Sequence, residues 1–126
     1  MIVCNASPLM YLAKIGKLDI LKKLFGEIVI PNQVYEEVVI KGIKDGFIDA
    51  HVVEKGINDK WILVKEVMVD KELNRFASEI DVGEIAVINL ARKIRANLIL
   101  IDDASARIIA ESFGLNVNPT IELEID

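Results

Sequence analysis

The chain has 126 residues, of which 52% are hydrophobic, and it carries a formal net charge of −5. This length and composition suit a single domain over residues 1–126, and no apolar run reaches the roughly 18–20 residues that a membrane span needs. The acidic balance argues against a basic module that binds nucleic acid by charge alone. The lone Cys4 cannot form an internal disulfide and the N-terminus lacks the basic start of a signal peptide, so we expect a cytoplasmic protein.

Short apolar segments and amphipathic segments alternate along the chain. The apolar segments predict strands at residues 1–5, 28–30, 61–67, 98–101 and 115–117. The amphipathic segments predict helices at residues 9–15, 17–25, 32–40, 49–55, 70–79, 81–96 and 104–113. Ser7 and Pro8 mark the start of the first helix, with Ser7 as its N-cap and Pro8 at the first helical position.

Strands that alternate with helices in this way favour an α/β fold, a three-layer α/β/α sandwich with a central mostly parallel sheet. The strands at residues 1–5 and 98–101 are the most apolar, so we expect them to be neighbours in the interior of the sheet. Such sheets bind ligands at the carboxyl ends of their strands. Polar residues that directly follow a strand, or that begin a helix, are therefore the candidates for a shared site.

Four positions meet this criterion, and an acidic pair after Pro31 adds to them. They are Asn5 after the first strand, Asp102 and Asp103 after the strand at 98–101, Glu84 at the start of a long helix, and the pair Glu36 and Glu37. Carboxylates that converge at one edge suit hard cations such as Mg²⁺ or Mn²⁺, which prefer oxygen ligands. Two such ions can activate a water and stabilise the leaving oxygen of a phosphodiester.

Each of these residues also has a purely structural interpretation. Asp102 and Asp103 could cap the helix that follows them, and Asp81 could cap the long helix. Glu36 and Glu37 could be helix surface, Glu84 a first-turn acid and Asn5 a turn residue. His51 is the only histidine, and no His/Cys set exists for zinc. The chain also lacks the glycine-rich phosphate loops of the common nucleotide-binding folds.

Four segments in order resemble a PIN domain. They are NASPLMYLAKIGKL (5–18), IPNQVYEEV (30–38), DVGEIAVINLA (81–91) and ILIDDASAR (99–107). More narrowly, they resemble uncharacterised prokaryotic PIN-like proteins related to VapC-type toxins. The similarity extends over almost the whole chain, although each segment alone is a weak motif.

The resemblance implies a metal-dependent ribonuclease that acts on single-stranded RNA, with acids around Mg²⁺ or Mn²⁺. The second acid of the family corresponds to Glu37, with Glu36 as the second choice, and the third to Glu84. The last corresponds to Asp102 or Asp103, and Ser7 matches a hydroxyl residue near the first acid. The first position, usually Asp, is Asn5 here, which can ligate a cation through its carbonyl oxygen but brings no charge and cannot act as a base.

The leading hypothesis is an endoribonuclease, the toxin of a toxin–antitoxin pair. Its partners would be single-stranded RNA, an antitoxin protein and a second copy of the chain in a homodimer, with Ser7, Lys14, Lys17 and Arg107 as candidates to contact the RNA. The alternative is a catalytically silent PIN-like module that binds RNA or protein, which Asn5 and the pI of about 4.9 favour. A third hypothesis is an interaction domain that binds no nucleic acid.

Overall fold

Five short parallel strands form one sheet in residues 1–119, the part of the chain that the structure, a computed structural model, describes. The strands are β1 (Ile2–Cys4), β2 (Ile28–Pro31), β3 (Ile62–Lys65), β4 (Leu98–Leu100) and β5 (Val117–Asn118). They lie in the order β3-β2-β1-β4-β5. The central strands consist of β-branched and other apolar residues that are almost completely buried, as expected of a parallel sheet covered on both faces.

Helices occupy most of the connections between the strands. They are α1 (Ala6–Lys14), α2 (Asp19–Phe25), α3 (Asn32–Tyr35), a π-helix (Glu36–Ile40), α4 (Lys41–Lys44), α5 (Ile48–Asn58), α6 (Lys71–Asn74), α7 (Val82–Ile94) and α8 (Ala104–Ser112). None of the helices in residues 1–119 is both long enough and apolar enough to cross a membrane.

The predicted α/β/α architecture is confirmed, and the sheet is parallel throughout the described residues. The prediction that the first strand and the strand at 98–101 are interior neighbours is also confirmed. β1 pairs with β4 on one side, with Cys4 opposite Leu100, and with β2 on the other. The backbone N–H of Asn5 continues this ladder by donating to the carbonyl of Leu100 at 3.0 Å.

Helix α7 contributes a large part of the core. Every residue from Gly83 to Ala91 is buried, and the helix contacts β1, β2 and β4. Because α7 leads into β4 and the strands are parallel, it runs antiparallel to them. Its N-terminus therefore lies at the carboxyl end of the sheet, where a ligand site is expected.

Several predicted boundaries are wrong. Ser7 is not the N-cap of the first helix, because α1 begins at Ala6 and Asn5 occupies the cap position. The predicted helix at 70–79 ends at Asn74, where the backbone tightens into turns such as the bond from Phe76 N–H to the carbonyl of Leu73. The predicted helix at 49–55 is longer, the strand at 61–67 is shorter, and the last strand lies one to two residues later.

The predicted helix at 32–40 continues to residue 44 and contains the π-helix, which the sequence pattern does not indicate. A π-helical turn inserts an extra residue into the α-helical repeat and so changes the direction of the side chains that follow. Such turns are frequent at functional sites. Here the π-helix carries both members of the predicted pair, Glu36 and Glu37.

Candidate functional site

The order of the strands places a switch point beside β1. The chain runs from β1 through β2 to β3 in one direction, whereas β4 and β5 lie on the other side of β1. In open α/β sheets, ligands bind in the crevice that forms where the strand order reverses, at the carboxyl ends of the strands. Asn5 follows β1 and Asp102 follows β4 by two residues, so both lie at this crevice. Asn5 is buried, with 4% of its surface exposed.

Glu37 lies over the N-terminus of α7. A Cβ atom added to Gly83 would lie 3.2 Å from Oε1 of Glu37, so this carboxylate is close to the first turn of the helix. Any side chain at position 83 would crowd it, which explains the value of glycine there. The N-terminus of a helix is the positive end of its dipole and favours a nearby carboxylate.

Glu84 belongs to the same helix terminus. It is buried, with 7% of its surface exposed, and forms a capping box with Asp81. The N–H of Glu84 donates to Oδ1 of Asp81 at 2.8 Å, and the N–H of Asp81 donates to Oε1 of Glu84 at 3.0 Å. The capping bond engages Oε1, one of the two carboxylate oxygens of Glu84.

Burial and neighbouring acids raise the pKa of both Glu37 and Glu84 at this helix terminus. Burial is the largest cause for Glu84, and the charges of Asp81, Asp103 and Glu37 raise its pKa further, against a hydrogen bond from Asp81 that lowers it. Glu37 exposes part of its side chain, but its carboxyl group packs against α7. Its pKa is raised by this burial and then by Asp81, whereas Lys41 lowers it. Glu37 and Asp103 therefore each lie within electrostatic reach of Glu84.

The two aspartates after β4 have separate positions. Asp103 is the N-cap of α8, since its Oδ2 accepts a hydrogen bond from Ala106 N–H at 2.9 Å. The capping interpretation is thus correct for Asp103, although its charge also reaches Glu84. The pKa of the buried Cys4 thiol is raised by burial and then by the charge of Asp102, which indicates that Asp102 lies near the end of β1.

The residues proposed to contact RNA are spread over two helices and a turn. Ser7 and Lys14 are exposed at the start and end of α1, Lys17 is exposed beyond it, and Arg107 is half-buried on α8. Lys14 and Glu37 line the same cavity, of about 530 Å³. The other three remain candidates by position alone.

Two charged residues at this site did not enter the sequence-based set. Lys41 lies close enough to Glu37 to lower its pKa, and Asp81 raises the pKa of both Glu37 and Glu84. The Asp81-x-x-Glu84 spacing is the signature of a capping box, and it predicts the contact between these two residues. The four-residue spacing of Glu37 and Lys41 gives a similar signal.

The donor set suits a hard divalent cation in its chemistry. Its side chains offer carboxylate and amide oxygens, and their mutual repulsion would be offset by a bound cation. Within residues 1–119, no group of three or more His, Cys, Asp or Glu side chains is arranged to hold a metal ion. Asn5 is an amide and is not one of these residue types. A site that uses its carbonyl oxygen therefore has one acid fewer than a site with aspartate at this position.

The fold is a parallel α/β sheet with the polar side chains of Asn5 and Asp102 after its central strands β1 and β4, where α/β folds bind ligands. The family model DUF3368, a PIN domain, matches residues 1–123. The chain therefore belongs to the PIN-domain family, whose members generally use divalent metal ions. A comparison with curated proteins finds no match.

Proposed function

We propose that this PIN domain is an endoribonuclease that cleaves single-stranded RNA with Mg²⁺ or Mn²⁺. The observation that carries the proposal is the position of the Glu37 carboxylate over Gly83, beside the buried Glu84 and within electrostatic reach of Asp103. Acids whose pKa is raised by burial and by neighbouring acids are costly for a fold and are concentrated at functional sites. A purely structural set of caps would not need Glu37 at this place.

The residues proposed to hold the ion are Glu37, Glu84 and Asp103, together with Asn5 and Asp102 at the crevice. A divalent ion bound there would lower the pKa of a water and offset the charge that develops on the phosphate oxygens. Asn5 contributes a neutral oxygen, so it can position a ligand but cannot accept a proton. The proposed metal affinity is therefore weaker than that of a PIN domain with aspartate at this position.

The cations near the acids are proposed to hold the RNA backbone. Lys14 and Lys41 line the cavity that Glu37 also lines, and Arg107 lies on α8 one turn after Asp103. Phosphate contacts of this kind fix the position of a nucleic acid without reading its sequence. The proposed role as a toxin, with an antitoxin protein as a partner and a homodimer as the functional form, rests on the resemblance of the four sequence segments.

A second function, an RNA- or protein-binding module without catalysis, is favoured by one specific observation. The buried position at the end of β1, where the family usually has an acid, holds Asn5 and therefore lacks a charge. A neutral ligand lowers the affinity of a site for a hard cation. The two functions differ in whether RNA is cleaved or only bound.

The discriminating experiment measures cleavage of a fluorescent single-stranded RNA with Mn²⁺, with Mg²⁺ and with EDTA. Glu84→Gln is the most informative variant, because glutamine can keep the capping box while it removes the charge. Glu37→Gln tests the second acid, and Glu36→Gln is its matched control on the same π-helix. We expect metal-dependent cleavage that both the Glu37 and Glu84 variants reduce and the Glu36 variant preserves.

Two results would contradict the nuclease proposal. Cleavage that persists unchanged in EDTA would indicate a contaminating or metal-independent activity. Binding of RNA without cleavage by the unmodified chain and by Asn5→Asp would favour the binding module. Thermal unfolding of each variant, measured by circular dichroism, shows whether a loss of cleavage reflects a loss of fold.

A further inference from the structure

The exposed aromatic side chains of this protein are confined to one place. Of its four phenylalanines, two tyrosines and one tryptophan, all of which lie in residues 1–119, only Tyr11 and Phe47 are classed as exposed, at 46% and 55%. They come from different elements, α1 and the turn before α5, yet both line the cavity beside Glu37. Burial of aromatic surface is strongly favourable, so two exposed rings in one cavity need a reason.

The cavity has the dimensions of a ligand site. Its volume is about 530 Å³, within the roughly 300–1,000 Å³ of typical small-molecule sites. Its walls are α1, the π-helix with α4, and the first turn of α5. At its base α4 and α5 pack closely, because a Cβ on Gly42 would lie 2.8 Å from Cβ of Ala50.

Neither of the two rings packs against another ring or a cation in residues 1–119. Within the described part of the chain, the only stacked or edge-to-face ring pair is Phe76 with Phe113, and the cations over rings are Arg75 and Arg92 on those same two residues. Tyr11 and Phe47 thus have no ring or cation against them. An aromatic face in such a position can stack on any flat π-system that enters the cavity.

The charges of the cavity suit a nucleotide. Lys14 and Lys41 lie on its rim, and neither forms a salt bridge to another residue within positions 1–119. Three carboxylates line the same cavity, those of Glu37, Asp45 and Asp49. Asp49 is half-buried in the first turn of α5, and its carboxylate can only accept hydrogen bonds when ionised. Recognition of a single strand uses cations that bind phosphate, rings that stack on bases, and polar groups that bind base edges. The cavity has lysines, two rings and a carboxylate for these three purposes.

We propose that this cavity, which joins the candidate site at Glu37, holds a base of the single-stranded RNA next to the cleaved phosphate. Tyr11 and Phe47 stack on the base, and Asp49 accepts from its Watson–Crick edge. Guanine is the preferred base, because its N1–H and N2–H₂ groups are adjacent donors that one carboxylate can accept together. Uracil is disfavoured, because it presents one donor between two acceptors. The inference rests on the proposed function, because that function is the reason for the choice of RNA as the ligand.

The test measures binding in EDTA, so that it does not depend on cleavage. The probes are fluorescent RNA octamers of uridine that carry one central guanosine, adenosine or cytidine, with the all-uridine octamer as reference, and the readout is fluorescence anisotropy. We expect the guanosine octamer to bind about tenfold more tightly than the all-uridine octamer. Tyr11→Ala and Phe47→Ala should each weaken binding of the guanosine octamer by about tenfold, the scale of one lost stacking contact.

Matched variants separate stacking from other effects. Tyr11→Phe and Phe47→Tyr keep a ring and should retain binding. Ile48→Ala is the control for lost apolar surface, because Ile48 is 80% exposed, follows Phe47 directly and does not line the cavity. Asp49→Asn should weaken binding of the guanosine octamer more than binding of the all-uridine octamer, because guanine offers two adjacent donors and uracil offers one, and so it should reduce the preference for guanosine.

The outcomes distinguish this inference from the proposed function. If the chain does not cleave RNA with Mn²⁺ but its octamer binding depends on Tyr11, Phe47 and Asp49, the inference about the cavity is supported and the nuclease proposal is contradicted. The unmodified chain could instead cleave the octamers while Tyr11→Ala and Phe47→Ala bind them as tightly as it does. This result would support the nuclease proposal and overturn the inference about the cavity. Absence of octamer binding by the unmodified chain also overturns the inference and leaves a protein segment as the occupant of the cavity.

Discussion

The two ends of helix α7 both carry charges but differ in how these charges are compensated. At the C-terminal end, the guanidinium of Arg92 lies 4.3 Å from the ring centroid of Phe113 and 3.5 Å from Oε2 of Glu72. At the N-terminal end, Glu84 meets further acids, Glu37 and Asp103 among them, and these charges raise its pKa. The charges at each end have the sign that the helix dipole favours there, so the dipole does not explain why the two ends differ in how their charges are compensated.

This comparison separates a structural use of charge from a functional one. At the basic end, the ring of Phe113 and the carboxylate of Glu72 compensate the charge of Arg92. The acidic end accumulates like charge beside a switch point of the sheet, and a bound cation would offset that charge.

The largest expected effect is a gain in Mn²⁺ affinity at the acidic end of α7. Asn5→Asp adds a full negative charge to the proposed ligand set, so Mn²⁺ affinity measured by calorimetry should rise by about 10- to 100-fold, and any RNA cleavage should rise with it. Asn74→Asp, which adds the same charge at an exposed position at the end of α6, should leave both unchanged. If both variants raise the affinity equally, Mn²⁺ responds to the net charge of the protein rather than to a site.

A smaller effect is expected at the N-cap of α8. Asp103→Asn keeps a good N-cap but removes the charge, so Mn²⁺ affinity should fall by about tenfold while the unfolding free energy stays nearly the same. Asp103→Ala removes both the N-cap and the charge, so it should also lower the free energy of unfolding by about 1 kcal/mol in chemical denaturation. An Asp103→Asn variant with unaltered Mn²⁺ binding would restrict Asp103 to its capping role.

The parts of this molecule that could be predicted from the sequence are those that depend on local pattern. The apolar runs that became β1 and β4 are nearly all buried, and the rule that sites follow strand ends placed Asn5 and Asp102 at the crevice. The long helix and its cap at Asp81 were also recognisable from spacing. These features need only the residues themselves and their near neighbours.

The remaining features depend on contacts between distant segments. Nothing in the run Glu36–Ile40 indicates a π-helix, because the extra residue is tolerated only where the surrounding structure stabilises it. The approach of Glu37 to Gly83 joins two segments 46 residues apart, so it follows from the packing of α3 on α7. The same holds for Tyr11 and Phe47, which are 36 residues apart in the chain and line one cavity.

At the basic end of α7, a change should affect stability and leave the site intact. Arg92→Gln removes the stacking on Phe113 and the pair with Glu72, and should lower the free energy of unfolding by about 1 kcal/mol, the scale of a cation–π contact with a partly exposed pair. Mn²⁺ affinity and cleavage should not change. A tenfold loss of Mn²⁺ affinity in this variant would show that the two ends are coupled through the helix, and the contrast between them would then be wrong.

The smallest expected effect is a pH dependence of the metal-free protein. The pKa values of Glu37 and Glu84 are raised above 4.5 in the folded chain, so between that value and their folded values the folded state binds more protons than the unfolded state. The contribution of these two residues to stability therefore increases as the pH falls through this window and is lost as the pH rises. Denaturation in EDTA at pH 7 and pH 5 measures the change, and the double variant Glu37→Gln/Glu84→Gln is the reference, since it keeps the side-chain shape without the titration. The unmodified chain should gain stability relative to the double variant on acidification. If it instead loses stability relative to that variant, ionisation of these carboxylates stabilises the metal-free fold, and the acidic end of α7 is compensated as fully as the basic end.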